Sequence, residues 1–174
     1  MNQERSTGNP SPHFFHPSPK GCVARDLRFA RALEELYAEE LTAVCSASYR
    51  SMLCCDCDAR LSEVLLEQMQ DEIVHFRFLG ELILELGGNP SLRAQIRVET
   101  LHRPEDTKGG CEVLSHAVLR QALRDKRNSI DHCQTLLGRT QDRVVRSLLL
   151  WLIGEDQRHA ERLKQTAQAH GLNC

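Results

Sequence analysis

Two leucine-rich stretches of this chain each interrupt their apolar seam with an acid and a histidine three residues apart. Read at alternating steps of three and four, the first stretch gives Leu61, Leu65, Gln68, Glu72, His75, Leu79, Leu82 and Leu86. The second gives Val145, Leu149, Leu152, Asp156, His159 and Leu163. A helix buries the side on which leucines recur at this spacing. Ionisable groups on that side cost several kcal/mol unless they are paired or bound to a metal. Two acid-x-x-His pairs on facing helices are the half-sets of ligands from which a carboxylate-bridged dimetal centre is built inside a four-helix bundle.

The rest of the chain divides to match. Residues 1–22 are rich in Pro, Ser, Gly and Asn and read as a disordered or loosely docked arm. Residues 23–174 carry four helical patterns. The first runs from about Ala24 to Leu53, with Phe29, Leu33, Leu36, Glu40, Ala43 and Ala47 on one face. A break follows at Asp56-Cys57-Asp58, where Asp58 suits an N-cap for the second helix. Gly87-Gly88-Asn89-Pro90 ends that helix, since glycine accepts a left-handed cap and proline blocks continuation. The third pattern spans roughly Cys111 to Leu137 and the fourth about Asp142 to His170, with Gly138 between them.

Loop lengths then constrain topology. Short connections make each pair an antiparallel hairpin. The polar link over residues 91–110 is long for a compact domain, and long enough to run the length of a bundle whose helices span about 42 Å. The expected fold is all-α: two antiparallel helical hairpins joined by one long crossover.

A dimetal site in such a bundle uses a single acid from each of two helices beside the two acid-x-x-His pairs. On the first helix Glu40 lies on the seam, four residues after Leu36, while its neighbour Glu39 lies off the face. The third helix departs from the pattern. Its seam reads Leu119, Ala122, Lys126, Ser129, Cys133 and Leu136, so a cation stands where the sixth ligand belongs. Asp125 would need a turn of about 100° around the helix to replace it.

The stretches YAEELTA (Tyr37 to Ala43) and DEIVHFRFLGELILELGGNP (Asp71 to Pro90) resemble the rubrerythrin-type branch of the ferritin-like superfamily, above all its short bacterial members. LRDKRNSIDHC resembles that branch's third helix, with Lys126 in place of glutamate and Cys133 in place of tyrosine. EDQRHAERL resembles its fourth-helix motif, with Asp156 in place of glutamate. The resemblance implies a ferritin-like four-helix bundle over most of the chain. It also implies iron or manganese held by Glu40, Glu72, His75, Asp156 and His159. Chemistry on dioxygen, peroxide or ferrous iron would follow. Asp156 is one methylene shorter than glutamate, and Lys126 would repel a second ion at short range.

Three readings stay open. One is a non-haem oxidoreductase with one or two metal ions. Another is a bundle without metal, in which Lys126 replaces a metal's charge and the protein serves as a scaffold or partner-binding module. The third rests on the thiols. Of eight cysteines, Cys54 and Cys57 form a single C-x-x-C with no second pair at zinc-ribbon spacing. The expectation for the cluster is reduced surface and loop thiols. With 22 basic and 24 acidic residues interspersed, no basic stripe points to nucleic acid. No apolar run approaches the roughly 20 residues of a membrane span, and no leader is apparent. A cytoplasmic homodimer served by an external electron donor is expected, since the chain carries no rubredoxin-like cysteine module.

Overall fold

The computed structural model describes residues 24–91, 101 and 110–171. The proline-rich arm of residues 1–22 and most of the crossover lie outside them. Four helices follow in order: α1 (Leu27–Cys54), α2 (Ala59–Glu85), α3 (Gly110–Leu137) and α4 (Arg143–Ala169). The chain is an all-α bundle with no strand among the described residues.

Each helix starts where a side chain satisfies its free N–H groups. Asp26 accepts from the Phe29 N–H at 2.9 Å and Asp58 from the Leu61 N–H at 3.0 Å. Asp142 accepts from both Val144 and Val145, at 2.9 and 3.1 Å. Helix α1 therefore begins three residues later than its apolar pattern suggests, because the Asp26 cap fixes the first turn. At the end of α2, Gly87 takes φ 87°, and the Gly88 N–H donates to the Ile83 carbonyl at 2.9 Å. A Cβ on Gly88 would come within 2.8 Å of the Ala30 Cβ. The second glycine thus permits the close crossing of α1 over the end of α2.

The two hairpins pack with α1 across α3 and α2 across α4. Glu39 pairs with His132 and Arg50 with Asp125, so α1 and α3 run antiparallel. Helices α2 and α3 consequently run the same way, so α2 ends and α3 begins at opposite ends of the bundle. This is the crossover that the loop lengths require.

The core comes in two apolar clusters. One holds Leu33, Leu36, Leu79, Ile83, Leu148 and Leu149 with their neighbours. The other holds Leu61, Leu65, Val118, Leu119 and Leu163. Between them lies a layer of buried polar side chains: Glu40, Gln68, Glu72, His75, Lys126, Asp156 and His159. At the end of the bundle beside the second cluster, Cys57 in the α1–α2 turn is joined by a disulfide to Cys111 in the first turn of α3. This corrects the expectation of reduced loop thiols. The bond links residues 54 apart in sequence, which meet because α2 and α3 begin at the same end of the bundle.

Candidate metal centre

Every seam position flagged in the sequence faces the same layer. Glu40 from α1, Glu72 and His75 from α2, and Asp156 and His159 from α4 are between 1% and 3% exposed. On each helix the acid and histidine lie one turn apart on one stripe, so both side chains enter the core together.

Glu72 sits at the centre. Its Oε2 lies 3.2 Å from His75 Nδ1, and its Oε1 lies 3.3 Å from His159 Nδ1. Glu40 Oε2 is 3.5 Å from the same His75 Nδ1. The His75 and His159 rings stack with centroids 6.0 Å apart. Two buried three-ligand sets result, Glu40–Glu72–His75 and Glu72–Asp156–His159, with Glu72 common to both.

The two sets are not equivalent. Lys126 reaches into the second from α3, its Nζ donating to Glu72 Oε1 and, at 2.7 Å, to Asp156 Oδ1. An ammonium thus stands between two carboxylates that would otherwise share a cation. Asp125 does not turn inward to replace it. It lies half-buried and accepts from Arg50 Nη2 at 2.6 Å, so Asp125 faces α1 rather than open water. Glu39 is exposed as expected, but its carboxylate holds His132 Nδ1 at 2.7 Å.

The charge states follow from these contacts. Burial, together with the Glu72 charge, pushes the Glu40 carboxyl up to about 8, against the pull of His75. Burial also opposes ionisation of Glu72, but the Lys126 ammonium and both histidines hold it well below the usual carboxylate range. His75 rises to about 10 because the Glu40 and Glu72 carboxylates overcome its desolvation. Lys126 is likewise raised against burial, by Glu72, Asp156 and Glu40. His159 is raised against burial by Asp71 and Glu72.

The first set suits a metal ion. Glu40 Oε2 is buried and has no hydrogen-bond partner, and two carboxylates with an imidazole form a hard donor set of the kind iron and manganese take. The second set presents two further orphaned atoms, Asp156 Oδ2 and His159 Nδ1. His159 is also oriented as a metal-bound histidine usually is, with its other nitrogen, Nε2, 2.9 Å from Asp71 Oδ2. With the Lys126 Nζ between Glu72 and Asp156, however, a second ion fits only if that side chain moves. The residues present fit one ion, at Glu40, Glu72 and His75.

Residues 30–169 match the family model of the ferritin-like domain. The chain belongs to the ferritin-like family. Among solved structures this ferritin-like chain is similar to the bacterioferritin of Rhodobacter capsulatus, with 21% identity over 86% of this chain and 89% of that one and a TM-score of 0.59. That protein was solved with a metal-free dinuclear site and haem iron. The chain is also similar to the bacterioferritin of Desulfovibrio desulfuricans, whose diiron site was seen in different catalytic states. Here identity is 19% over 83% of this chain and 80% of that one, with a TM-score of 0.66. At such identities the likeness establishes the fold. No curated protein matches the chain in sequence.

Three contacts in and beside the layer were not visible in the sequence. Asp71 and Glu155 flank His159 on its outer side. Gln68 fixes the α4 backbone by donating to the His159 carbonyl at 3.3 Å. Arg50 is buried although it is an arginine. Its position three residues after Ala47 on the α1 stripe was the available signal. The C-x-x-C reading is corrected as well. Cys54 is buried in the second cluster, where desolvation pushes its thiol up to about 11, while Cys57 is bonded to Cys111.

Proposed function

We propose that this ferritin-like protein holds one redox-active iron or manganese ion at Glu40, Glu72 and His75, with the Lys126 ammonium standing in for a second cation. On this reading it is a non-haem oxidoreductase of the rubrerythrin type acting on dioxygen, peroxide or ferrous iron. The observation that carries the proposal is the asymmetry of the layer, with one complete donor set beside one already filled by a protein cation. Such an ion, when bound, supplies one-electron chemistry and an open coordination position for a small oxidant.

The chain's own residues supply the setting. In the metal-free site burial favours a proton on Glu40 and the neighbouring carboxylates favour one on His75, and both protons must leave before these residues serve as ligands. Lys126 keeps Glu72 ionised, so that carboxylate is ready without a proton to lose. Asp71 holds Nε2 of His159 and turns Nδ1 towards Glu72. The apolar clusters above and below shield the layer from water along the bundle axis. Electrons would come from a separate donor, and a homodimer is the assembly in this reading. A cytoplasmic location also belongs to it, with the Cys57–Cys111 bond as its sharpest test, since the cytosol usually keeps such thiols reduced. An oxidised pair in protein alkylated during acid quench would move the protein to an oxidising compartment.

A second reading has its own observation. Lys126 already satisfies one oxygen of both Glu72 and Asp156, so the bundle can stand without metal as a scaffold. Elemental analysis separates the two, on protein purified without chelator and reconstituted anaerobically with ferrous iron, beside a Lys126→Glu variant. One ion per wild-type chain is expected. Two would mean that Lys126 swings clear and the centre is dinuclear. None in wild type but two in the variant would establish the metal-free bundle and overturn the proposal.

A further inference from the structure

The seam between α1 and α3 is open. On α1, Thr42, Ala43, Ser46 and Ala47 face Ala122 and Ser129 on α3, and side chains this short leave space between the two helices. The result is a cavity of about 330 Å³ whose inner wall includes Glu40, Glu72 and Lys126. It therefore reaches the metal-binding layer. Along α1 it extends from Glu39 to Arg50, each held to α3 by an ion pair, Glu39 to His132 and Arg50 to Asp125.

The size is informative. The cavity is partly open to solvent and far larger than the roughly 30 Å³ that a water occupies in the liquid. Dioxygen or peroxide would displace little of the water it holds, whereas a small organic molecule would displace most of it.

Arg50 indicates the chemistry of that molecule. It is 4% exposed and lines the cavity. Nη2 donates to Asp125, but Nε is buried with no partner. A buried guanidinium N–H left unpaired is costly, and a guanidinium matches a carboxylate in both charge and fork geometry. Both cations lining the cavity already hold a carboxylate, Arg50 through Nη2 to Asp125 and Lys126 to Glu72 and Asp156, but only Arg50 keeps a buried nitrogen without a partner. Between Arg50 and Glu40 the helix rises about 15 Å, part of which the two side chains span themselves. The wall there includes Ala43, Ala47, Leu65 and Ala122, an apolar strip suited to a short aliphatic body.

We infer that the α1–α3 cavity binds a short aliphatic carboxylate, its anionic head on Arg50 and its tail directed along Ala43 and Ala47 towards Glu40, Glu72 and His75. Binding itself needs no metal. That the tail is presented to an oxidising ion rests on the function proposed above.

The test is calorimetric titration of the full chain, treated with chelator, with butyrate, hexanoate, octanoate and hexan-1-ol. At least one carboxylate is expected to bind saturably at one per chain, with hexan-1-ol at least tenfold weaker than hexanoate. Arg50→Gln is expected to weaken binding by about 10- to 100-fold, the range for a hydrogen bond to a charged group. Ala47→Leu, which fills the cavity without touching a charge, is expected to abolish it while far-UV circular dichroism stays unchanged. This second variant keeps the test decisive if Arg50→Gln fails to fold. Three results would each overturn the inference: no saturable binding of any carboxylate, equal binding of the alcohol, or unchanged binding in Ala47→Leu. Metal content, measured on protein purified without chelator and reconstituted with ferrous iron, tests the functional proposal separately. Carboxylate binding by a protein that takes up no metal on reconstitution would sink that proposal and leave the carboxylate site standing.

Discussion

Replacing Lys126 by alanine removes the one cation that α3 contributes to the buried layer. Lys126 is 7% exposed, and its Nζ contacts Glu72 and Asp156, each 1% exposed. Deleting one partner of a buried ion pair typically costs 3–5 kcal/mol, because the remaining charge stays buried without compensation. Two carboxylates are left here, but either can relieve the cost by taking up a proton. We therefore expect a loss of about 3–5 kcal/mol at neutral pH, with a midpoint temperature lower by roughly 6–20 °C for a chain of this size. The sign with pH follows from Glu72, which Lys126 holds well below its ordinary value. A depressed folded-state value contributes stability that is fully present above the unfolded value and lost as pH falls through the folded one. The gap between wild type and Lys126→Ala should accordingly be widest above about pH 4.5 and shrink in acid. Urea unfolding of chelator-treated protein, followed by far-UV circular dichroism at several pH values, measures it directly. A neutral-pH difference below about 0.5 kcal/mol would refute the argument, since it would mean that the two acids carry no uncompensated charge once the ammonium is gone.

Other parts of the molecule make separate predictions. The Cys57–Cys111 bond closes a 54-residue separation. Chain-entropy reasoning gives it about 4 kcal/mol, so the Cys57→Ser, Cys111→Ser double variant should unfold at clearly lower urea. An unchanged midpoint would show the bond to be dispensable. Gly87, at φ 87°, should lose about 1–2 kcal/mol on substitution by alanine, read from the same unfolding curve. His132 is raised above its ordinary value by its hydrogen bond to Glu39. Its stabilising contribution is therefore fully present below about pH 6.5 and lost as pH rises through the folded value. The effect is small because Glu39 is half exposed and solvent-screened. NMR titration of His132 in wild type and in Glu39→Gln should show the value fall in the variant, and no change would disprove the pairing.

Much of this structure is legible from side-chain periodicity. The alternation of three and four that put Leu65, Gln68, Glu72, His75 and Leu79 on one line also put them on one buried face. An apolar stripe can bury only in one direction. Asp58 and Gly87 mark their helix ends through local hydrogen bonding and backbone conformation, which neighbouring residues set by themselves. Lys126 was legible in the same way, as an anomaly on the third seam. Arg50 continues the α1 stripe, but it and Asp125 were harder to read because both are residue types that usually stay at the surface. Only their meeting at 2.6 Å across α1 and α3 explains why an arginine is buried there.

The sequence by itself therefore determines the helices, the pairing implied by their loops, and which ionisable groups enter the core. Those properties depend on steps along one chain. The tertiary structure decides what these groups do to each other. Whether Lys126 falls between Glu72 and Asp156, whether Cys57 finds Cys111 rather than Cys54, and whether α1 and α3 leave a cavity all depend on distances between helices. Electrostatic energy and covalent bonding vary steeply over a few ångströms, and that precision exists only once the four helices have packed.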